Sequence, residues 1–354
     1  MIYLDYNATA PLLPEARSAM EPWLGVPSNP SAAHRLGRDA AMAVDRARDQ
    51  VAALVEWPRD GVIFTSGATE SNGVVLSRGR WAVSAVEHPS AWNWRAVEMG
   101  VDGEGILDPT EIDRLEVAGT EAVTGVAVMF ANNETGVIQR ISEVIRRARA
   151  RGLRVHVDAA QAPGRIPLGA LVDADSVTLS AHKIGGPQGV GALLVRAGRE
   201  PEPLLRGAAQ ERGWRPGTHN VAGIVGFGAA CSVAARALVE APRLARLRDR
   251  LEEAARGFGA RIASHEGVRL PNTACIGFEG VAAADLVIAL DLRGIAVSAG
   301  AACSSGAQRP SRVLAAMRFP GSGVRFSLGT GTTEAEIDTV IAALHEVLPM
   351  LRNP

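Results

Sequence analysis

Residues 176–183 read Ser176-Val177-Thr178-Leu179-Ser180-Ala181-His182-Lys183, in which a short apolar run ends in polar and reactive side chains. The same succession occurs four more times, with apolar runs at residues 61–64, 81–86, 126–130 and 154–157. Each run has the length of a buried strand, and a stretch of helical character follows it. Strands that alternate with helices predict an α/β fold with a mostly parallel sheet that is covered on both faces.

The polar residues of this pattern lie just past the carboxyl ends of the predicted strands. Examples are Glu87 and His88 after the second run, Asn133 after the third, and Asp158 after the fourth. Open α/β sheets bind their ligands at that edge. The five strand ends therefore predict one shared site.

The pattern changes after about residue 233. Helices are predicted at 244–258, 283–292 and 310–317, strands at 273–278, 295–298 and 324–328, and a last helix after Thr332. The sequence thus predicts a large ligand-binding domain over residues 11–235. A smaller α+β domain is predicted over 236–354, carrying the loop around Cys303, with residues 1–10 packing near it.

The overall charge and the cysteine count limit the possible partners and compartment. The 354 residues include 37 basic and 38 acidic ones, and no segment concentrates the basic ones, so neither nucleic acid nor an anionic membrane is expected as a partner. The start of the chain has no signal-peptide pattern, and no run of about 18 apolar residues predicts a membrane span. Three cysteines are too few for a disulfide framework, which favours a reducing cytoplasm.

Lys183 and Asp158 carry the most specific chemistry. A partly buried lysine amine can form a Schiff base with an aldehyde, although a surface lysine in a turn would give the same local sequence. A carboxylate at a strand end can pair with a protonated pyridine nitrogen, as sites for pyridoxal phosphate commonly require. The alternative for Asp158 is the cap of a helix N-terminus.

Two further strand ends are consistent with a bound phosphate and an aromatic ring. Ser66-Gly67-Ala68-Thr69 lies between a strand and a helix, where backbone N–H groups can hold a phosphate. His88 could lie over a cofactor ring and move protons near neutral pH, or it could be an ordinary loop histidine.

Cys303 and Arg325 lie in the second half of the chain. Cys303 is surrounded by small residues in Ser298-Ala299-Gly300-Ala301-Ala302-Cys303-Ser304-Ser305-Gly306, which predicts a loop suited to a nucleophile that must travel. The other cysteines, Cys231 and Cys275, are expected in the core. Arg325 interrupts an apolar strand, where its guanidinium could hold a carboxylate or could face solvent at a sheet edge.

Taken together, these segments resemble the cysteine desulfurases, a branch of the class V aminotransferase-like pyridoxal-phosphate enzymes. The similarity runs from Tyr3 to about Ile337 and keeps the family's order of motifs. The motifs are Leu4-Asp5-Tyr6-Asn7-Ala8-Thr9, Phe64-Thr65-Ser66-Gly67-Ala68-Thr69-Glu70-Ser71-Asn72, Glu87-His88, Asn132-Asn133-Glu134-Thr135-Gly136, His156-Val157-Asp158-Ala159-Ala160-Gln161-Ala162, Ser180-Ala181-His182-Lys183, Arg215-Pro216-Gly217-Thr218, Ala302-Cys303-Ser304-Ser305-Gly306 and Val324-Arg325-Phe326-Ser327-Leu328-Gly329.

The resemblance implies fold type I of the pyridoxal-phosphate enzymes, with pyridoxal 5'-phosphate as cofactor, and a role for each matched residue. Lys183 is the Schiff-base lysine and proton acceptor, His88 the stacking acid/base residue, and Cys303 the nucleophile that becomes a persulfide. Asp158 contacts the pyridine nitrogen, Gln161 the phenolic oxygen, and Ala68, Thr69, Ser180 and His182 the phosphate end. Thr218 contacts the phosphate of the other subunit, which implies a homodimer, and Asn133 and Arg325 hold the substrate carboxylate. No metal is implied.

The implied activity is removal of sulfur from L-cysteine, which leaves alanine, with transfer to an acceptor such as an iron–sulfur assembly or thiolation system. Selenocysteine lyase and cysteine-sulfinate lyase of the same fold are alternatives, as is a non-catalytic scaffold. The chain departs from the family pattern at Tyr6, Ala10, residues 206–211 and Arg309. None of these departures removes a catalytic group.

Overall fold

The structure is a computed structural model that describes residues 1–300 and 311–352. The β-strands in these ranges are Ile2–Tyr3 (β1), Val62–Thr65 (β2), Trp81–Ser84 (β3), Arg95–Met99 (β4), Gly125–Met129 (β5), Arg154–Asp158 (β6), Ser176–Ser180 (β7), Gly191–Val195 (β8), Ala260–Ile262 (β9), Thr273–Phe278 (β10), Ile295–Ala296 (β11), Ser298–Ala299 (β12) and Val324–Ser327 (β13). The α-helices are Pro14–Met20 (α1), Arg35–Val55 (α2), Ala68–Leu76 (α3), Pro89–Trp92 (α4), Ile141–Ala150 (α5), Val221–Ala237 (α6), Ala241–Gly257 (α7), Ala283–Asp291 (α8), Arg312–Ala316 (α9) and Glu334–Arg352 (α10).

The large sheet has seven strands in the order β2-β8-β7-β6-β5-β3-β4. Strand β8 is antiparallel to both of its neighbours, and the other pairs are parallel. Six strands therefore run in one direction, and their carboxyl ends meet at one edge. The predicted α/β class with a mostly parallel sheet is confirmed.

Both faces of this sheet are buried, because alternate residues of one strand enter different apolar clusters. Val126 and Val128 of β5 pack in the cluster that contains α2, α5 and α6, whereas Ala127 packs in the cluster that contains α3. Strands covered on both faces need apolar residues at every position. This need explains why the strands appear in the sequence as short continuous apolar runs.

A second sheet is antiparallel, in the order β12-β13-β10-β9, and it packs with α7, α8 and α10. The segment predicted as a single strand at 295–298 is divided in two. Strand β11 pairs with β1 in parallel, and β12 pairs with β13. Leu4 belongs to the same apolar cluster as this sheet. The division at residue 236 into two domains stays a prediction.

The N-terminal segment continues from β1 toward the carboxyl edge of the large sheet. Asp5 forms a bridge with Ser327, and Asn7 donates its side-chain amide to Thr273 Oγ1 at 2.9 Å. The Tyr6 ring lies where a Cβ at Gly329 would be, so a glycine at 329 makes room for this tyrosine.

One helical stretch, Val221–Gly257, is long and apolar enough to cross a membrane by length and composition alone. Half of its most apolar window is buried inside the protein. Phe227 and Cys231 of α6 lie in the main core, as in the core helix of a globular protein.

Candidate active site

A cavity of about 780 Å³ opens at the carboxyl edge of the large sheet. All five strand ends that the sequence singled out contribute to its wall. They supply Gly67, Ala68 and Thr69 after β2, Glu87 and His88 after β3, Asn133 and Glu134 after β5, Asp158 and Gln161 at β6, and Ser180, His182 and Lys183 at β7. Residues 7–9, Gly300, Arg312 and Arg325 line it as well.

Lys183 follows β7 in the short helical turn Ala181–Ile184, which ends at Gly185 with a φ of 78°. Its Nζ atom donates to the carbonyl oxygens of Asn7 at 2.6 Å and Ala8 at 2.9 Å. A side chain at residue 185 would collide with Leu13, so glycine suits both the left-handed conformation and the packing. The N-terminal segment thus helps to hold the lysine amine at the cavity.

Asp158 is the last residue of β6 and is only 6% exposed. Its Oδ1 atom accepts from the backbone N–H of Ala160 at 3.0 Å, and Oδ2 accepts from Asn72 Nδ2 at 2.8 Å. Each carboxylate oxygen has a second lone pair. A buried carboxylate held in this way can accept a hydrogen bond from a cationic group in the cavity.

His88 caps the N-terminus of α4. Its Nδ1 atom lies 2.8 Å from Ser90 Oγ and accepts from the Ser90 N–H at 3.2 Å. Burial lowers the pKa of His88 below its ordinary value; Lys183 and Arg312 act in the same direction, and Asp158 opposes them. The neutral imidazole is therefore the favoured form at neutral pH.

Another part of the cavity wall is formed by the start of α3 and by His182. The first N–H groups of a helix have no partner within the helix and attract anions. The N–H groups of Ala68 and Thr69 occupy these positions, because the first intrahelical bond is that of Ser71 to Gly67. Burial lowers the pKa of His182 to about 4, so this ring is neutral as well, and its Nδ1 lies 3.2 Å from Thr9 Oγ1.

Gln161 is fixed from both sides of its amide. Its Nε2 donates to the Asn7 carbonyl at 2.9 Å, and its Oε1 accepts from Arg165. Burial lowers the pKa of Arg165 to about 9, which still leaves this guanidinium charged at neutral pH. The same Asn7 carbonyl receives Lys183, so Gln161 and Lys183 share one acceptor.

Arg325 lies on β13 and is only 2% exposed, so it is not an edge-strand surface residue. It donates to the backbone carbonyl of Asn133 at 3.0 Å and forms an ion pair with Asp5 at 2.5 Å. Its Nε atom is buried without a hydrogen-bond partner in the described part of the chain. The guanidinium predicted for a substrate carboxylate is therefore already bound to a carboxylate of its own chain.

Two predicted residues are not found among those that line the cavity. Thr218 is exposed in the segment before α6. Cys303 lies outside the described residues, which stop at Gly300 and resume at Ser311. The two described cysteines, Cys231 and Cys275, are buried, and burial raises the pKa of Cys275 to about 12.

The structure adds side chains to which the sequence analysis gave no role. Glu87 accepts from the Met129 N–H at 2.5 Å, and its buried Oε2 has no partner among the described residues. Glu134 accepts from Ser311 Oγ at 2.5 Å. Arg312 reaches the carbonyls of Ala85 and Glu87. Glu87 and Glu134 lie inside matched motifs, whereas nothing in the local sequence marks Arg312.

Comparisons with known proteins identify the family and the fold. The family model of the aminotransferase class-V proteins matches residues 2–340. Cysteine desulfurases of Trichormus azollae and Cereibacter sphaeroides are each 40% identical to this chain; both alignments cover 99% of it, and 94% and 96% of the two relatives. Among solved structures, a NifS-like protein from Rickettsia africae superposes with a TM-score of 0.90 at 30% identity, over 99% of both chains. These similarities confirm fold type I of the pyridoxal-phosphate enzymes, and the chain belongs to the aminotransferase class-V family, in its cysteine desulfurase branch.

Proposed function

We propose that this protein removes sulfur from L-cysteine, giving L-alanine and a persulfide on Cys303 that is passed to a sulfur acceptor. The observation that carries the proposal is that an amine, a carboxylate, an imidazole and a helix N-terminus line one cavity. These groups are Lys183, Asp158, His88 and the start of α3. The relatives that are named cysteine desulfurases match almost the whole chain.

The residues of the cavity fit pyridoxal 5'-phosphate. The buried Asp158 carboxylate keeps acceptor capacity toward the cavity, and the start of α3 offers N–H groups to an anion. In the proposal, Lys183 holds the aldehyde carbon, Asp158 the pyridine nitrogen, His88 one face of the ring and Gln161 the phenolic oxygen. The phosphate is held by Ala68, Thr69, Ser180, His182 and the partner subunit's Thr218. The bound cofactor supplies an electron sink that makes the α-proton of an amino acid acidic.

Lys183 and His88 are the groups proposed to move protons. As a neutral amine, Lys183 Nζ can accept the substrate's α-proton and later return it to the same carbon. The two carbonyls that now receive Nζ, those of Asn7 and Ala8, remain available to stabilise the resulting ammonium. His88 is neutral because burial lowers its pKa, and it can donate or receive a proton on the cavity side.

Asn133 and Arg325 are proposed to bind the substrate carboxylate. The Arg325 side chain is buried at the cavity wall, where a guanidinium can hold a carboxylate through two hydrogen bonds. Its present ion pair with Asp5 means that the substrate must share the guanidinium with Asp5 or displace it.

The sulfur step is assigned to Cys303 from the sequence. The Cys303 thiolate attacks the sulfur of the bound substrate, a sulfur–sulfur bond forms, and the carbon–sulfur bond breaks. The electron pair of the broken bond stays with the carbon skeleton; its β-carbon takes up one proton and its α-carbon regains the proton held by Lys183, which gives alanine. A soft thiolate suits attack on sulfur better than an alkoxide would.

We propose a homodimer in the cytoplasm, with L-cysteine as substrate and a sulfur-acceptor protein whose identity depends on its docking surface. Iron–sulfur assembly and thiolation begin with the same persulfide, so either acceptor is compatible with the site.

The test is to incubate the cofactor-loaded protein with L-cysteine and a thiol reductant, and to measure sulfide and alanine together. We expect equal amounts of both, loss of both in Cys303→Ala, and retention of both in Cys231→Ala. Cys231 is a matched control because it is a buried core cysteine outside the cavity. No product from a yellow, cofactor-loaded protein would overturn the proposal, and activity with selenocysteine alone that survives Cys303→Ala would favour a lyase.

A further inference from the structure

Asn72 lies on α3 and does not itself line the cavity, and its fully buried side-chain amide joins several site residues. Its Nδ2 atom is 2.8 Å from Asp158 Oδ2 and 2.9 Å from Ser90 Oγ. Its Oδ1 atom is 3.0 Å from Nε2 of the buried His156. One amide thus contacts the carboxylate of Asp158 and, through Ser90, the imidazole of His88.

The direction of each hydrogen bond follows from the chemistry of the groups. An ionised Asp158 can only accept, so the amide nitrogen of Asn72 must face it and the amide oxygen must face His156. His156 then donates from Nε2 and accepts at Nδ1 from Ser176 Oγ, which is 2.8 Å away. Burial lowers the pKa of His156 to about 4, which agrees with a neutral ring that carries one hydrogen.

The same matching of donors to acceptors fixes the hydrogen bonds from Asn72 to Ser90 and from Ser90 to His88. The second hydrogen on Asn72 Nδ2 points to Ser90 Oγ, so this hydroxyl gives its own hydrogen to His88 Nδ1, 2.8 Å away. The backbone N–H of Ser90 is directed at the same nitrogen at 3.2 Å. Both donors share the single lone pair of Nδ1, so the ring hydrogen of neutral His88 lies on Nε2.

We propose that Asn72 is a positioning residue which orients the Asp158 carboxylate and, through Ser90, fixes the Nε2–H tautomer of His88. His88 then exchanges protons only at Nε2, because protonation of Nδ1 would break its bond from Ser90 and oppose the donor direction set by Asn72. Two groups that act on the cofactor are thereby set by one side chain. The inference rests on the proposed function only in taking the cavity as a cofactor site.

The direct test is nitrogen NMR of the cofactor-loaded protein labelled with ¹⁵N-histidine. The chain has 7 histidines, and His88→Gln identifies the signals of His88. We expect its Nδ1 signal at the position of a ring nitrogen without hydrogen and its Nε2 signal at that of one with hydrogen, with about a tenfold or greater preference. A hydrogen on Nδ1 in this protein overturns the proposal without any variant of Asn72.

Asn72→Asp then tests the coupling, since a carboxylate at 72 would take the Ser90 hydroxyl hydrogen away from His88. We expect the His88 signals to move toward a ring with hydrogen on Nδ1, and we expect this effect to disappear in the Ser90→Ala background. Ser71→Ala is the matched control, because Ser71 is equally buried on α3 but bonds to Thr65 and Gly67 instead. Equal signals in Asn72→Asp and the unmodified protein, or a shift that persists without Ser90, would contradict the coupling. The NMR signals do not depend on turnover, so this failure is distinct from failure of the sulfide and alanine assay.

Discussion

Glu87 and Glu134 are two buried carboxyl groups in the wall of the cavity. Burial raises the pKa of Glu87 well above its ordinary value, and the nearby Asp158 adds to this effect. Burial also raises the pKa of Glu134, to about 7, although Ser311, Arg325 and Arg312 oppose it. Glu87 can therefore lie near Asp158 without adding a second negative charge there.

Glu134 is expected to make stability depend on pH in a defined direction. Its ordinary pKa of 4.5 is raised to about 7, so the folded protein binds this proton more tightly than the unfolded chain. Its contribution to stability is fully present below pH 4.5 and is lost as pH rises through 7, with an upper limit of about 3 kcal/mol. Glu134→Gln cannot ionise, so we expect the variant to gain stability relative to the unmodified protein as pH rises from 5 to 8.

The measurement is the urea midpoint of both cofactor-loaded proteins at several pH values. Glu253→Gln serves as a control for the loss of one charge, because Glu253 is exposed on α7. Parallel curves for Glu134→Gln and the unmodified protein would show that residue 134 does not titrate in this range.

At the scale of elements, α2 is tied to the segment before α6 through a buried ion pair. Arg48 donates two hydrogen bonds to Glu211, at 2.7 and 2.8 Å. Glu211 also accepts from the Phe64 N–H on β2 and lies 2.8 Å from His219. Burial raises the pKa of the Glu211 carboxyl, but hydrogen bonds from Arg48 and His219 outweigh burial and lower this pKa to about 2.

Removal of the Glu211 carboxylate should lower the free energy of unfolding far more than removal of an exposed carboxylate. Glu211→Gln leaves the Arg48 charge buried without its partner, and we expect a loss of about 3–5 kcal/mol of unfolding free energy. Asp45→Asn is the matched control: Asp45 lies 3.9 Å from the same arginine but is 58% exposed, so a loss below about 1 kcal/mol is expected. Chemical denaturation at neutral pH measures both, and similar losses would refute the assigned importance of the buried pair.

The elements also show which parts of the fold the sequence could predict. The bounds predicted for β10 are those observed, and the run predicted at 154–157 ends one residue before β6 does. These strands were predictable because continuous apolar runs mark buried strands. Strand β8 was not predicted. Its reversed direction could not be predicted, since an apolar run carries no information about orientation. It also missed the division of 295–298 into β11 and β12, which depends on partners far away in the sequence, β1 and β13.

At the scale of the whole molecule, the position of the cavity was predictable and its hydrogen bonds were not. The edge rule for α/β sheets places Lys183, Asp158 and His88 together, whatever their individual partners are. No local pattern indicates that Asn7 receives Lys183, or that Asp5 pairs with Arg325 across 320 positions of sequence. Such contacts depend on how the N-terminal segment crosses from the small sheet to the large one.

The proposed homodimer is supported by apolar side chains left on the surface of the single chain. Trp94 and Leu204 are each about half exposed and lie next to each other over Gly73, and Leu205 is 58% exposed. Exposed apolar patches of this kind mark sites of protein association. Thr218 is exposed and does not line the cavity of its own chain, as expected of a residue proposed to serve the other subunit.

Mixed dimers can decide whether Thr218 serves the other subunit. Loss of its hydrogen bond to a phosphate should weaken cofactor binding by roughly tenfold or more in a Thr218→Ala homodimer. In a dimer of one Lys183→Ala chain and one Thr218→Ala chain, the lysine-bearing cavity receives the intact partner subunit's Thr218. We therefore expect this mixed dimer, isolated with two different tags, to bind cofactor at the lysine-bearing site with unmodified affinity and to give about half the sulfide of the unmodified dimer. If Thr218 served its own chain, that single active cavity would lack it, and the mixed dimer would show the weakened affinity of the Thr218→Ala protein.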